Sequence, residues 1–158
     1  MGSAFYEGDS RLLKSEALTF VLDTELKQAV RSQNYVTLIL VAATYGSEGI
    51  SGAVDTGMLN EVALVFGKEI RDTDVLGHIE NGTLGVVLWD ADYDHSKKVI
   101  DRLVSRSESH AFRTALELDV GAACCPTHAV DSDSLKRQAR ARPVVSWRAG
   151  TRPSPAEN

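Results

Sequence analysis

The chain is poor in the residues that staple or anchor a protein. Its only two cysteines, Cys124 and Cys125, are neighbours, so neither can close a distant loop, and a bond between them would be strained. Buried thiols are the expectation. With no Cys-x-x-Cys and no His/Cys cluster, no zinc site is expected, and no Gly-x-Ser-x-Gly frames a nucleophilic serine. No apolar run approaches the ~20 residues of a membrane helix, and Met1-Gly2-Ser3-Ala4 lacks the basic-then-apolar order of a signal peptide. These absences lead to the expectation of a cytoplasmic chain without a membrane span.

What is present fits one globular domain: 158 residues, 43% hydrophobic and 25% charged, enough for a core and too few for two comfortable domains. Charge is uneven. From residue 136 onward, Lys136, Arg137, Arg140, Arg142, Arg148 and Arg152 face only Glu157, or +5, and the total of −5 leaves −10 before them. Such a basic end could meet an acidic partner, but no interleaved aromatics offer a base-stacking platform, which argues against nucleic acid. The expectation is a domain over residues 1–144, with its core at about 9–141, and a flexible basic tail over 145–158.

Apolar residues at 18, 20, 21, 26, 29 and 30 predict an amphipathic helix over 16–31, followed by an almost continuously apolar central strand, Tyr35 to Ala43. Tyr45 to Asp55, with three glycines and two serines, reads as a loop. Leu59, Val62, Ala63, Phe66 and Ile70 then recur at helical spacing. Asn81-Gly82 signals a two-residue hairpin turn, because both residues tolerate positive φ. A helix over about 96–105, a strand at about 116–124 and a helix at about 132–141 complete the pattern. The fold class expected is α/β with a mixed sheet, one antiparallel hairpin and helices on both faces.

Three blocks, in this order, carry a resemblance. Asp55-Thr-Gly-Met-Leu59-Asn-Glu-Val62-Ala63 matches a Gly-Asp-x-x-Leu-x-x-Val-Ala helix start. Glu80-Asn81-Gly82-Thr83-Leu84 stands at a Gly-Gly-Asp/Glu-Glu-Phe turn, and Asp119-Val-Gly121-Ala-Ala-Cys-Cys-Pro126 matches a Ser-Ile-Gly-Val-Ala-x-x-Pro strand. Together they resemble the GGDEF domain of diguanylate cyclases over roughly residues 9–140. The resemblance implies a nucleotide-cyclase-like sheet and a chemistry in which carboxylates hold magnesium while one GTP attacks another. Ala42 falls at the first metal aspartate, Thr44 at the second acidic position and Gly82-Thr83 at the acidic pair of the turn. The family's Leu-Thr-Gly-Leu-x-Asn-Arg motif is replaced by Arg11-Leu-Leu-Lys14-Ser-Glu-Ala17. The expectation is therefore a degenerate domain with no catalytic residues, no metal and no cofactor.

Five residues before that turn, Arg71-Asp-Thr-Asp74 matches the family's Arg-x-x-Asp inhibitory site for cyclic di-GMP, and Arg102 falls near a second arginine that some members supply. An arginine fork suits guanine acceptors or phosphate, and a carboxylate suits the guanine donors. The bland alternative makes Arg71 a helix C-terminal residue and Asp74 a cap. The resemblance thus implies a regulatory domain that receives cyclic di-GMP, or else an interaction module that works through a protein partner or self-association without nucleotide. Acids at 90, 92, 94 and 101 also sit at calcium-loop spacing, but His95 occupies the position that needs glycine, so a helix start is preferred. The four histidines show no ligand spacing, and exposed or capping roles are expected of them.

Overall fold

The computed structural model describes residues 12–47, 50–80 and 82–149. In chain order the elements are β1 (Leu12–Leu13), α1 (Ser15–Ser32), β2 (Val36–Ser47), β3 (Ile50–Ala53), α2 (Thr56–Gly67), β4 (Val75–Glu80) and β5 (Thr83–Trp89). They continue with α3 (Tyr93–Ser109), β6 (Leu116–Cys125), α4 (Ser132–Ala141) and β7 (Pro143–Ala149). One sheet runs β1-β4-β5-β2-β6-β7, with β3 pairing back onto β2. Among the described strands only β1 and β4 pair in parallel, so the sheet is mixed, as expected.

The apolar run of β2 is explained by its central place between β5 and β6. Alternate side chains feed two cores. Ile39, Val41 and Ala43 pack with α2 and α3 around Phe66 and Ile100. Val36, Leu38 and Leu40 pack with α1 and α4 around Leu22 and Leu135. Helices therefore cover both faces, and every buried leucine or isoleucine is worth roughly 1.5–3 kcal/mol over exposure.

Local chemistry sets the helix ends. Asp55, Asp92 and Asp131 are N-caps, accepting from the amides of Met58, His95 and Ser134 at 2.8 Å each, which satisfies a donor left open in the first turn. Gln33 ends α1 in the left-handed region at φ 59°, bonding its amide to the Ala29 carbonyl. Asp92 as a cap absorbs the apparent calcium spacing, and α3 starts three residues earlier than the apolar stripe suggested.

Two expectations need correction. The glycine-rich stretch after Thr44 is not a plain loop: β2 continues to Ser47 and pairs with β3, Thr44 opposite Ala53. Nor does a tail begin at Val145. Pro143–Ala149 forms β7, an edge strand on β6, with Val144, Val145 and Trp147 packed against the larger core. Residues 150–158, the rest of the expected tail, lie outside the described residues, as does Arg11. Both cysteines are free and buried.

Gly121 shows why one strand position admits no side chain. It pairs with Leu40 and faces the end of α4, where a Cβ would stand 2.0 Å from the Ala139 carbonyl oxygen. The missing side chain lets α4 lie directly on β6.

Candidate functional site

The β4–β5 hairpin carries a candidate site at each end. At its turn, Glu80 pairs with Thr83 across a two-residue connection, so the expected hairpin is present. Asn81 itself lies outside the described residues. Gly82 takes φ 75°, and its carbonyl accepts from the Ala43 amide at 2.8 Å, which docks the turn on β2. A Cβ at Gly82 would stand 3.3 Å from the Ala43 oxygen, so conformation and space both favour glycine.

Behind the turn, register places three residues in a row across adjacent strands. Thr83 on β5 and Asp119 on β6 flank Ala42 on β2. Ala42 and Thr83, aligned above with metal-holding positions, are thus true cross-strand neighbours on one face. Neither brings a carboxylate. Leu84 turns to the opposite face and is fully buried. Thr44, the other aligned acidic position, pairs with Ala53 and Glu117 further along β2. Among the described residues no group of three or more His, Cys, Asp or Glu side chains could hold a metal ion.

Two polar contacts at this end had no signal in the linear sequence. Glu80 forms an ion pair with Arg140 at the last turn of α4, both side chains about half exposed. The Asp119 carboxylate accepts from the Ser146 hydroxyl of β7. Both join residues far apart in sequence, and only the sheet register together with the approach of α4 brings them into contact.

At the open end of the hairpin, Arg71 and Asp74 meet. The Asp74 carboxylate accepts from the Arg71 backbone amide at 3.0 Å, from Nε at 3.3 Å and from Nη2 at 3.2 Å. Nη2 also donates to the Trp89 carbonyl at 2.8 Å. The two side chains differ sharply in exposure, 53% for Arg71 against 3% for Asp74. Asp74 is therefore the buried anchor of a clamp between the chain before β4 and the last residue of β5, while Arg71 reaches solvent. Helix α2 ends at Gly67, so Arg71 lies beyond it, yet both side chains hold backbone groups, which is the kind of role the bland alternative gave them. Arg102 stands apart, on α3, lining a shallow groove with Glu69, Asp101, Ser105, Arg106 and Ser109. Arg106 is tied to Glu69 at 2.8 Å.

Two histidines do more than the sequence suggested. His110 bonds Glu61 at 2.9 Å, joining the end of α3 to α2. The Cys124 amide donates to His128 Nδ1 at 2.8 Å, and Tyr93 stacks edge-on against the ring. Burial, and then the positive charge of Arg142, hold the His128 pKa below the usual imidazole value.

No family model matches the sequence, and no curated protein matches it. Solved structures do. The FimX GGDEF domain of Pseudomonas aeruginosa aligns at TM-score 0.71 and 15% identity, covering 89% of this chain and 91% of that one. The fold is that of a GGDEF domain. The GGDEF domain of DgcB from Caulobacter crescentus, solved in complex with c-di-GMP, aligns at TM-score 0.66 and 13% identity over 89% and 88%. The diguanylate cyclase SiaD of P. aeruginosa, solved with its activator SiaC, aligns at 0.69 and 15% over 88% and 56%. At these identities the GGDEF likeness is one of fold, and activity must be argued from residues. No described helix is long and apolar enough to cross a membrane.

Proposed function

We propose that this chain is a GGDEF-fold regulatory domain without cyclase turnover, and that it receives cyclic di-GMP at the Arg71 corner. The observation that carries the first half is the pairing of Ala42 with Thr83. Phosphoryl chemistry on GTP needs carboxylates to hold magnesium and balance developing charge. The two positions that would cooperate offer a methyl group and a hydroxyl, and the Gly82 carbonyl is already bonded to Ala43.

The receptor half is supported by the shape of the clamp. Arg71 is half exposed and keeps its guanidinium at the rim, held in orientation by a carboxylate that is itself buried. An oriented arginine loses less freedom on binding a guanine edge or a phosphate than a loose one. In this reading Asp74 positions Arg71, while Arg102 lines a separate groove on α3 and is left out of the site. The DgcB complex makes cyclic di-GMP the first ligand to test.

A second reading, a protein-interaction module without nucleotide binding, is favoured by apolar side chains left in solvent. Phe20 on α1 is 71% exposed and Leu64 on α2 is 59% exposed. The SiaD complex with SiaC gives that reading a counterpart on the same fold.

Titration calorimetry with cyclic di-GMP, with Arg71→Ala alongside, separates the two. Micromolar binding lost in the variant supports the receptor. No heat in either protein leaves the interaction module, with self-association measured next. Incubation with GTP and magnesium is expected to yield no cyclic di-GMP, and any turnover that follows enzyme concentration removes the non-catalytic reading.

A further inference from the structure

Beside the row Thr83, Ala42, Asp119, the end of α4 and the start of β7 leave a cavity of about 380 Å³, within the size range of small-molecule sites. Its floor is apolar, built on Leu40, Ala42 and Val144. Its two ends are opposite in charge. Arg140 stands at the β5 side, because its partner Glu80 is the residue paired with Thr83. Asp119 stands at the β6 side, bonded only to the neutral Ser146 hydroxyl and without a cationic partner among the described residues. Two strand spacings, about 10 Å, separate the backbones of Thr83 and Asp119, so an occupant must span the gap rather than sit at one point.

We propose that this cavity binds a small zwitterionic amphiphile: a flat apolar middle, an ammonium group for Asp119 and a carboxylate for Arg140. Ordinary α-amino acids are too short to reach both ends at once, whereas an ω-amino acid with a ring between its charges has the right reach. The carboxylate takes the place of Glu80 at Arg140. Both members of that pair are about half exposed, so exchanging one carboxylate for another costs little, and Glu80 moves off beside the turn. The ammonium gains a partner that no cation of the described chain supplies. The apolar floor contributes by excluding water between the two contacts.

The test is an amide-resolved NMR titration of the full chain with 4-(aminomethyl)benzoate. A probe of about eleven heavy atoms should bind in the millimolar range. The expected result is a saturable shift centred on Ala42, Thr83, Gly121 and Val144, weakened about tenfold in Asp119→Asn and in Arg140→Gln, where one charge-assisted contact is lost. Benzylamine and benzoate, each with one end missing, should bind about tenfold more weakly than the zwitterion. Both variants alter exposed side chains, and their amide spectra report whether the fold is kept. Ala42→Val, which fills the floor, should weaken binding without touching either charge. Shifts that stay linear to about 20 mM, shifts centred elsewhere, or binding that survives Asp119→Asn would each overturn the proposal. The cyclic di-GMP titration reads Arg71 at the far end of the hairpin, so either proposal can fail without the other.

Discussion

The two ends of the β4–β5 hairpin share the same pair of strands and have opposite constructions. At the turn, small and neutral residues leave space: Gly82 docks by its carbonyl, Ala42 and Thr83 offer little side chain, and the ion pair of Glu80 with Arg140 lies at the surface. At the open end, charge is packed inside. Asp74 is 3% exposed and accepts three bonds from Arg71 alone. About 20 Å of strand separates the two ends. One hairpin thus joins an end built around space to an end where an arginine and a carboxylate are mechanical parts of the fold, whatever ligand either end takes.

If that contrast is right, substitutions at the open end cost more stability than those at the turn. Asp74→Ala should have the largest effect, about 2–3 kcal/mol, since it removes a buried carboxylate that accepts from the Arg71 backbone and side chain. Arg71 itself is exposed enough for water to recover part of the loss. Chemical denaturation of the variant gives the value, and a cost below about 1 kcal/mol would mean that the clamp carries no load and that Asp74 is retained for a ligand. Gly82→Ala comes next, at about 1–2 kcal/mol, from the positive φ and the close Ala43 oxygen. If it proves the costlier of the two, the turn is the more rigid end and the comparison reverses. Glu80→Gln should change stability by less than about 1 kcal/mol, because both partners are solvated. A double-mutant cycle with Arg140→Gln isolates that pair, and a coupling near zero would agree with a contact that exchanges easily.

Much of this was legible in the sequence, for physical reasons that also mark where legibility stops. The apolar run Tyr35 to Ala43 betrays a central strand because both faces are covered, and Asn81-Gly82 betrays its turn because few residue pairs adopt that conformation. Asp55 lies in the helix-start block the sequence displays, whereas the caps at Asp92 and Asp131 became plain only in the structure. Strand β3 was hidden because glycine and serine lower strand propensity, while the pairing that stabilises it comes from β2. Strand β7 was hidden behind its charge, although Val145 and Trp147 alternate with Ser146 and Arg148, and Pro143 sits at the first strand position, where an edge strand tolerates it. At the candidate sites, the Arg-x-x-Asp spacing singled out Arg71 and Asp74, but could not show that the two bond each other and close on the Trp89 carbonyl. Nor could it find Arg140 beside Glu80, a contact made by the approach of α4 over Gly121. Arg102 was aligned with the same ligand, yet the groove it lines includes neither Arg71 nor Asp74.

The smallest expected effect comes from pH, and it too distinguishes the ends. His128 lies at the open end, since Cys124, which donates to its ring, is one residue from Cys125, and Cys125 and Trp89 both pair with Val36. Its pKa is lowered in the folded chain by burial and then by Arg142, so the unfolded chain binds the proton more readily. Stability is therefore at its full value above the ordinary imidazole range. It declines as pH falls through the unfolded pKa and levels off once pH is below the folded one. Asp131 adds to the same trend at lower pH. Bonds from Ser134 lower its pKa, so its contribution is present above the ordinary carboxylate value and is lost as pH falls through the folded one. Denaturation midpoints for the wild type and His128→Gln, compared between neutral and mildly acidic buffer, should converge as pH falls. Parallel lines would remove His128 as the source. Amide exchange in the same buffers locates the loss: protection at Trp89 and Cys124 should fall before protection at Ala43 and Thr83, because the proton enters at the end where polar groups are packed.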